Sequence, residues 1–231
     1  MKITIIINGA GGVGKDTLCE VVAEKYSTMN VSSIDPIKAA ARMLGWNDQK
    51  DLESRKFLSD LKQLSIDYND WPTRYLINQH KLFQKSDLEI LFVHIREGSE
   101  IDSFKNSISG DVVTLLIRRN IGLNHFGNDA DDDVEDYNYD YVYDNNLPLK
   151  ESRTEFLKLV DKIIQGSKRS REIESNIAEV DELENGEPSK GWTKNKVNPF
   201  RMTSKDSLMI IASSTSGGLK DFKLSEKAYA N

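Results

Sequence analysis

The sequence predicts a three-layer α/β fold: a mostly parallel five-stranded sheet, a helical insertion after the second strand, and a C-terminal extension. Three observations predict it. Lys2 to Asn8 is an unbroken, β-branched apolar run, the pattern of a strand buried on both faces of a parallel sheet. Further short apolar runs alternate with helical patterns down the chain, which implies right-handed crossovers with helices on both sheet faces. A glycine-rich turn separates the first strand from the first helix.

The elements follow in order. Residues 15–29 read as a helix with Leu18, Val21, Val22 and Tyr26 at helical spacing, and Val31 to Ile34 as a second strand. Asp35-Pro36 is a helix start, an N-cap followed by proline at the first helical position. Residues 36–86 are mostly helical: Ala39 to Leu44, then Lys50 to Ile66 with a stripe of Leu52, Phe57, Leu61 and Leu64, then a helix opened by Pro72. Leu88 to Ile95 is a third strand, Ile101 to Ile108 a helix, and Val112 to Ile117 a fourth strand. Residues 119–138 read as a polar, acidic loop, and Tyr139 to Tyr143 as the last strand of the sheet. Ser152-Arg153-Thr154-Glu155 has the form of a capping box, opening a helix that Gly166 is expected to end. The first domain is therefore expected to span residues 1–166, and residues 167–231 to form the extension. Within the extension, 168–184 read as an amphipathic helix, Asn185 to Pro199 as a polar loop, and Leu208 to Ala212 as a strand.

Composition limits the function. The 231 residues carry a net charge of −6 with a pI near 5.2, unlike a general polyanion binder, so nucleic acid is not an expected partner. Cys19 is the single cysteine, which excludes an intrachain disulfide. Ile3 to Ile7 is too short to span a bilayer and lacks the flanks of a signal peptide. The expected location is cytoplasmic, with no membrane partner. His80, His94 and His125 lack zinc-ligand spacing. Asp129, Asp131 and Asp133 imitate the start of an EF-hand, but Val134 stands where its glycine belongs and Asp140 where its glutamate belongs, so the segment reads as a solvated loop. Trp46, Tyr68 and Trp71 read as core residues, with stacking on an acceptor base as the other role.

The strongest feature is Gly9-Ala10-Gly11-Gly12-Val13-Gly14-Lys15-Asp16-Thr17. It matches G-x-x-x-x-G-K between a buried strand and a helix, the context a phosphate-binding loop requires. Glycines let successive backbone N–H groups turn toward phosphate oxygens, and the helix N-terminus adds partial positive charge. Gly9, Gly11, Gly12, Val13 and Gly14 are thus expected to cradle ATP. Lys15 reaches its β- and γ-phosphates, and Thr17 supports the loop or touches the α-phosphate. Asp16 replaces the usual hydroxyl residue and offers a hard oxygen ligand to Mg²⁺. This loop makes the expected architecture a P-loop NTPase fold.

Phosphoryl transfer needs positioning and positive charge, so cations should face the loop. Lys38, Arg42, Arg55, Arg74 and Arg96 are the candidates, and Arg96 and Arg118 end strands, where ligands of open α/β sheets bind.

The loop ending Gly-Lys-Asp-Thr resembles those of P-loop small-molecule kinases, especially phage-type deoxynucleoside monophosphate kinases and adenylate-kinase-like proteins. Ser33-Ile34-Asp35-Pro36-Ile37-Lys38 is similar to the segment that opens their acceptor-binding region, and Lys50-Asp51 with Arg55 to the charged helix after it. The resemblance implies a (deoxy)nucleoside monophosphate kinase with Asp35 in the acceptor region, and Arg118 and Arg119 at the start of a mobile lid that contacts the donor. At the end of the third strand the family carries aspartate and, two residues on, arginine. Here Arg96 matches, but His94 replaces the aspartate, leaving Asp35 as the substitute metal residue. The expected partners are a nucleotide or another small phosphorylated acceptor, and a second copy of the chain in a homodimer. A nucleotide-binding regulatory module is the other reading. A GTPase is disfavoured, because Asn195-Lys196-Val197-Asn198 lacks the aspartate of N-K-x-D.

Overall fold

The computed structural model describes residues 2–120 and 133–185. Positions 121–132 of the expected lid, with His125, Asp129 and Asp131 among them, lie outside the described residues. So do the loop and strand expected beyond residue 185.

The elements are β1 (Ile3–Asn8), α1 (Lys15–Ala23), β2 (Thr28–Ser32), α2 (Asp35–Met43), α3 (Leu52–Asn69), α4 (Trp71–Lys85), β3 (Ile90–His94), α5 (Gly98–Ser107), β4 (Val112–Arg118), a single 3-10 turn at Asp133–Glu135, β5 (Tyr141–Asp144) and α6 (Leu149–Asn185). The five strands form one sheet in the order β2-β3-β1-β4-β5. Every pairing is parallel, with Ile3 opposite Ile90 and Thr4 opposite Val112. The chain divides into two compact units, Met1–Ile173 and Glu174–Asn231. The second is described only as the run of α6 to Asn185.

The period-two alternation of β1 sorts its side chains to two cores. Ile3, Ile5 and Ile7 pack with Leu18 and Val22 of α1 and with Phe156, Val160 and Ile163 of α6. Ile6 faces the other way, with Leu76 and Phe83 of α4 and Ile101 and Phe104 of α5. These are the three layers that the unbroken apolar run predicts. No helix among the described residues is long and apolar enough to cross a membrane.

Four local expectations are corrected. β2 starts at Thr28, three residues early, because it is an edge strand whose single buried residue is Val31. Asp35 is the first residue of α2, not its cap; its carboxylate accepts the Ser32 N–H at 2.7 Å. Ser152 lies inside α6, behind Pro148, whose carbonyl takes the first helical bonds from Glu151 and Ser152. Its hydroxyl is drawn to Asn145 and Tyr143, so no capping box forms. Gly166 does not end its helix, which continues unbroken past it. Its hydrogen occupies a position where a Cβ would meet only the Tyr141 hydroxyl, at 3.8 Å.

Candidate active site

β1 lies at the centre of the sheet, so the loop after it opens at the middle of the carboxyl edge. Gly9, Gly12 and Gly14 hold φ of 144°, 81° and 96°, in the region that disfavours side chains. A Cβ on Gly9 would run into the Ile117 carbonyl, and one on Gly14 would stand 2.7 Å from the Asn145 amide nitrogen. The loop therefore lies against β4 and the end of β5 with no room for anything larger than glycine at these two places. The first bond of α1 runs from Leu18 N–H to Gly14 O at 3.0 Å. No side chain caps the helix N-terminus among the described residues, so its first-turn N–H groups are presented as an anion site. The Lys15 ammonium crosses the loop, donating to Gly9 O at 2.5 Å and Ala10 O at 2.9 Å.

Two asparagines fix this loop. Asn8 accepts the Gly9 N–H at 2.8 Å, and its amide donates to Arg96 O at 2.8 Å and the Tyr139 hydroxyl at 2.7 Å. The Tyr139 hydroxyl in turn donates a hydrogen bond to Val134 O at 2.9 Å. Asn145 donates to Val13 O at 2.8 Å and also takes the Ser152 hydroxyl bond. Both asparagines are buried and satisfied, as buried polar groups must be. Sequence reasoning missed both: Asn8 is the last residue of β1 and Asn145 follows the last residue of β5, positions that only the assembled sheet brings beside the loop.

The loop opens into a cleft of about 1010 Å³. It joins Gly11, Gly12, Lys15 and Asp16 on one side to Asp35, Lys38, Lys50, Arg55, Lys56, Lys62 and Arg96 on the other. Of the expected acceptor residues, Asp35, Lys38, Arg55 and Arg96 therefore meet across from the loop. Arg42 and Arg74 do not border the cleft. Arg42 is held by Asp48, with Nη2 to Oδ1 at 2.7 Å, and lies over the Trp46 ring at 5.6 Å. Arg74 is on the exposed face of α4. Thr17 is exposed on α1 and outside the cleft wall. Arg118 is also outside it: its guanidinium pairs with Glu135 at 3.0 Å, while its Nε is buried with no hydrogen-bond partner among the described residues. Arg119 is exposed beyond the end of β4. Tyr68 and Trp71 are not core residues, being 84% and 41% exposed: Tyr68 is in the last turn of α3 and Trp71 in the first of α4.

His94 ends β3 in the cleft, its carbonyl accepting the Ser33 N–H at 3.2 Å. Burial pushes its imidazole below the ordinary histidine range; Asp16 and Asp35 oppose this and Lys15 adds to it. His94 therefore lies within the fields of the loop lysine and both candidate metal residues. Among the described residues no three acidic, histidine or cysteine side chains converge as a metal cluster. Asp16 and Asp35 supply two hard oxygen donors to the same cleft, which suits Mg²⁺, an ion commonly held by one or two carboxylates plus phosphate and water.

A second polar group borders the same side of the cleft through Lys62 and Glu97. Lys62 of α3 stands 3.0 Å from both Glu97 and Glu100, and Ser33 donates to Glu100 at 3.3 Å. Burial pushes the Glu100 carboxyl up, against the pull of Lys62. Burial pulls the Lys62 ammonium down, but the two carboxylates outweigh it and the net direction is up.

No protein-family model and no curated protein matches the chain. Among solved structures, it is similar to a sugar kinase from a Janibacter species at 15% identity, covering 70% of this chain and 95% of that one, with a TM-score of 0.43. It is similar to the dephospho-CoA kinase of Campylobacter jejuni at 14% identity, covering 72% and 99%, with a TM-score of 0.44. It is also similar to a gluconokinase from Sinorhizobium meliloti at 15% identity, covering 74% and 95%, with a TM-score of 0.40. The α/β architecture itself rests on this chain's own parallel strand order, β2-β3-β1-β4-β5, with helices packed on both faces.

Proposed function

We propose that this chain is an ATP-dependent phosphotransferase that moves the γ-phosphate of Mg-ATP to a (deoxy)nucleoside monophosphate. One observation carries the reading. An uncapped helix N-terminus and Lys15 face, across one cleft, a wall with Lys38, Arg55 and Arg96. Two anionic groups brought together need cations on both sides, and an acidic protein has concentrated them here.

The loop amides and Lys15 would hold the donor's phosphates. Lys38, Arg55 and Arg96 would hold the acceptor's phosphate and direct its oxygen in line. Asp16 and Asp35 would hold Mg²⁺, which when bound supplies charge neutralisation between phosphate oxygens. Arg118 and Arg119, at the carboxyl end of β4, would contact the donor.

His94 supports a second reading, a nucleotide-binding regulatory protein with little turnover, because the resembled kinases place a carboxylate there. A coupled ADP-release assay over a panel of nucleoside monophosphates and other phosphorylated small molecules separates the two. Turnover with one monophosphate and none with water is the expected result. Turnover with another phosphorylated metabolite would replace the acceptor, and nucleotide binding without turnover would favour the regulatory protein. Lys15→Ala should lower turnover about 100-fold or more. Unchanged Mg-ATP affinity and rate in that variant would remove the loop from the site.

A further inference from the structure

α3 shapes half of the acceptor wall, yet its apolar side chains reach at most partial burial, at Leu58, Leu61 and Ile66. It is 18 residues long and none of them is buried among the described residues. Leu52 and Leu64 of the expected apolar stripe are 81% and 66% exposed, and Phe57 is exposed as well. Even so, α3 gives Leu52, Arg55, Lys56, Leu58, Ser59 and Lys62 to the cleft. A helix with only partial apolar burial needs another anchor if Arg55 is to keep its place.

Lys62 is the polar anchor the structure offers. Its side chain is only 13% exposed, and it bridges to Glu97 and Glu100 at the start of α5. The Glu100 side chain is 6% exposed and also receives the Ser33 hydroxyl, two residues before Asp35. One carboxylate thus ties together the β2–α2 turn, α3 and α5, each next to a cleft residue: Asp35, Arg55 and Arg96. The other oxygen of Glu100 has no partner among the described residues. Burying such a pair gains little stability, because desolvation offsets the attraction. Its use is geometric: a short-range, directional contact that fixes one helix against another.

We propose that the Lys62–Glu100 pair, with Ser33 and Glu97, is a clasp that positions α3 and so sets the acceptor half of the cleft. Lys62 and Glu100 are positioning residues: they act through Arg55 and its neighbours, and Lys62 is not spare charge for the acceptor phosphate. The assignment to an acceptor rests on the kinase reading above; the clasp itself does not.

The test uses the full chain with Glu100→Gln, Lys62→Met, the double variant, and Lys62→Arg as the conservative control. Acceptor KM, kcat and Mg-ATP affinity are measured with the monophosphate that turns over best, and amide hydrogen exchange is followed across residues 52–69. The clasp predicts faster exchange in α3 with the strands unchanged, and an acceptor KM raised about tenfold at near-constant Mg-ATP affinity. The double variant should be no worse than either single one, and Lys62→Arg should recover most of the loss. Unchanged exchange in α3 overturns the clasp, whether or not any acceptor is found. Parallel loss of Mg-ATP affinity and of protection throughout the sheet also overturns it, by showing a general structural role. Should Glu100→Gln fail to fold, Lys62→Met and Ser33→Ala carry the same exchange measurement. Faster exchange in α3 with no acceptor turned over would keep the clasp and reject the kinase reading.

Discussion

Asn145, just past the end of β5, donates its side-chain amide to the carbonyl of Val13 at 2.8 Å. The two residues are 132 positions apart in the chain, yet this bond holds the crest of the glycine-rich loop against the far half of the sheet. Asn145→Ala leaves the buried Val13 carbonyl without that donor, a loss of about 1–3 kcal/mol. The expected outcome is a lower denaturant midpoint together with weaker Mg-ATP binding. Both can be followed by urea titration with and without nucleotide. An unchanged nucleotide affinity would mean that the loop holds its shape without Asn145.

Cys19 lies one helical turn beyond Lys15, and burial, reinforced by Asp16, pushes its thiol well above the ordinary range. In the folded chain it should stay protonated and resist alkylation at pH 8, reacting only on unfolding. The sign of the pH effect follows. Above about pH 9 the unfolded chain releases the thiol proton and the folded chain retains it, so folding stability declines by up to about 1.4 kcal/mol per pH unit. Urea midpoints of the native chain and of Cys19→Ala, compared from pH 8 to 10, should diverge with that slope. Parallel curves, or fast native alkylation, would show that the thiol is accessible.

His94 occupies the strand end that the resembled kinases give to an acid, and it feels the fields of Lys15, Asp16 and Asp35. His94→Asp adds a third carboxylate to this group. Like charges then repel in the metal-free protein, and a divalent cation relieves them. The thermal midpoint should drop without Mg²⁺ and recover with it, and the Mg²⁺ needed for half-maximal turnover should fall. Identical Mg²⁺ titrations in the two proteins would separate position 94 from the metal.

The centre of the molecule was readable in the sequence. The apolar run of β1 is unbroken because both faces are covered, and the loop after it needs its glycines where a Cβ would strike Ile117 or Asn145. The periphery was less readable. The polar pattern of Thr28 to Asn30 hid the start of an edge strand, and the stripe on α3 suggested a burial that the fold does not provide. Charge alone could not sort the arginines. Arg55 and Arg96 border the cleft, whereas Arg42 lies within reach of Asp48 and is bound there. Asn8, Asn145, Lys62 and Glu100 gave no local signal. Each gains its meaning from partners tens of residues away, brought close only by the order of the strands.

The placement of β1 has a kinetic consequence. Its two neighbours, β3 and β4, arrive roughly ninety and a hundred and ten residues later, as the pairings of Ile3 with Ile90 and Thr4 with Val112 require. Closing such distant parallel contacts is slow. In refolding, the ability to capture a fluorescent triphosphate should therefore emerge late, well after most helical circular dichroism has returned.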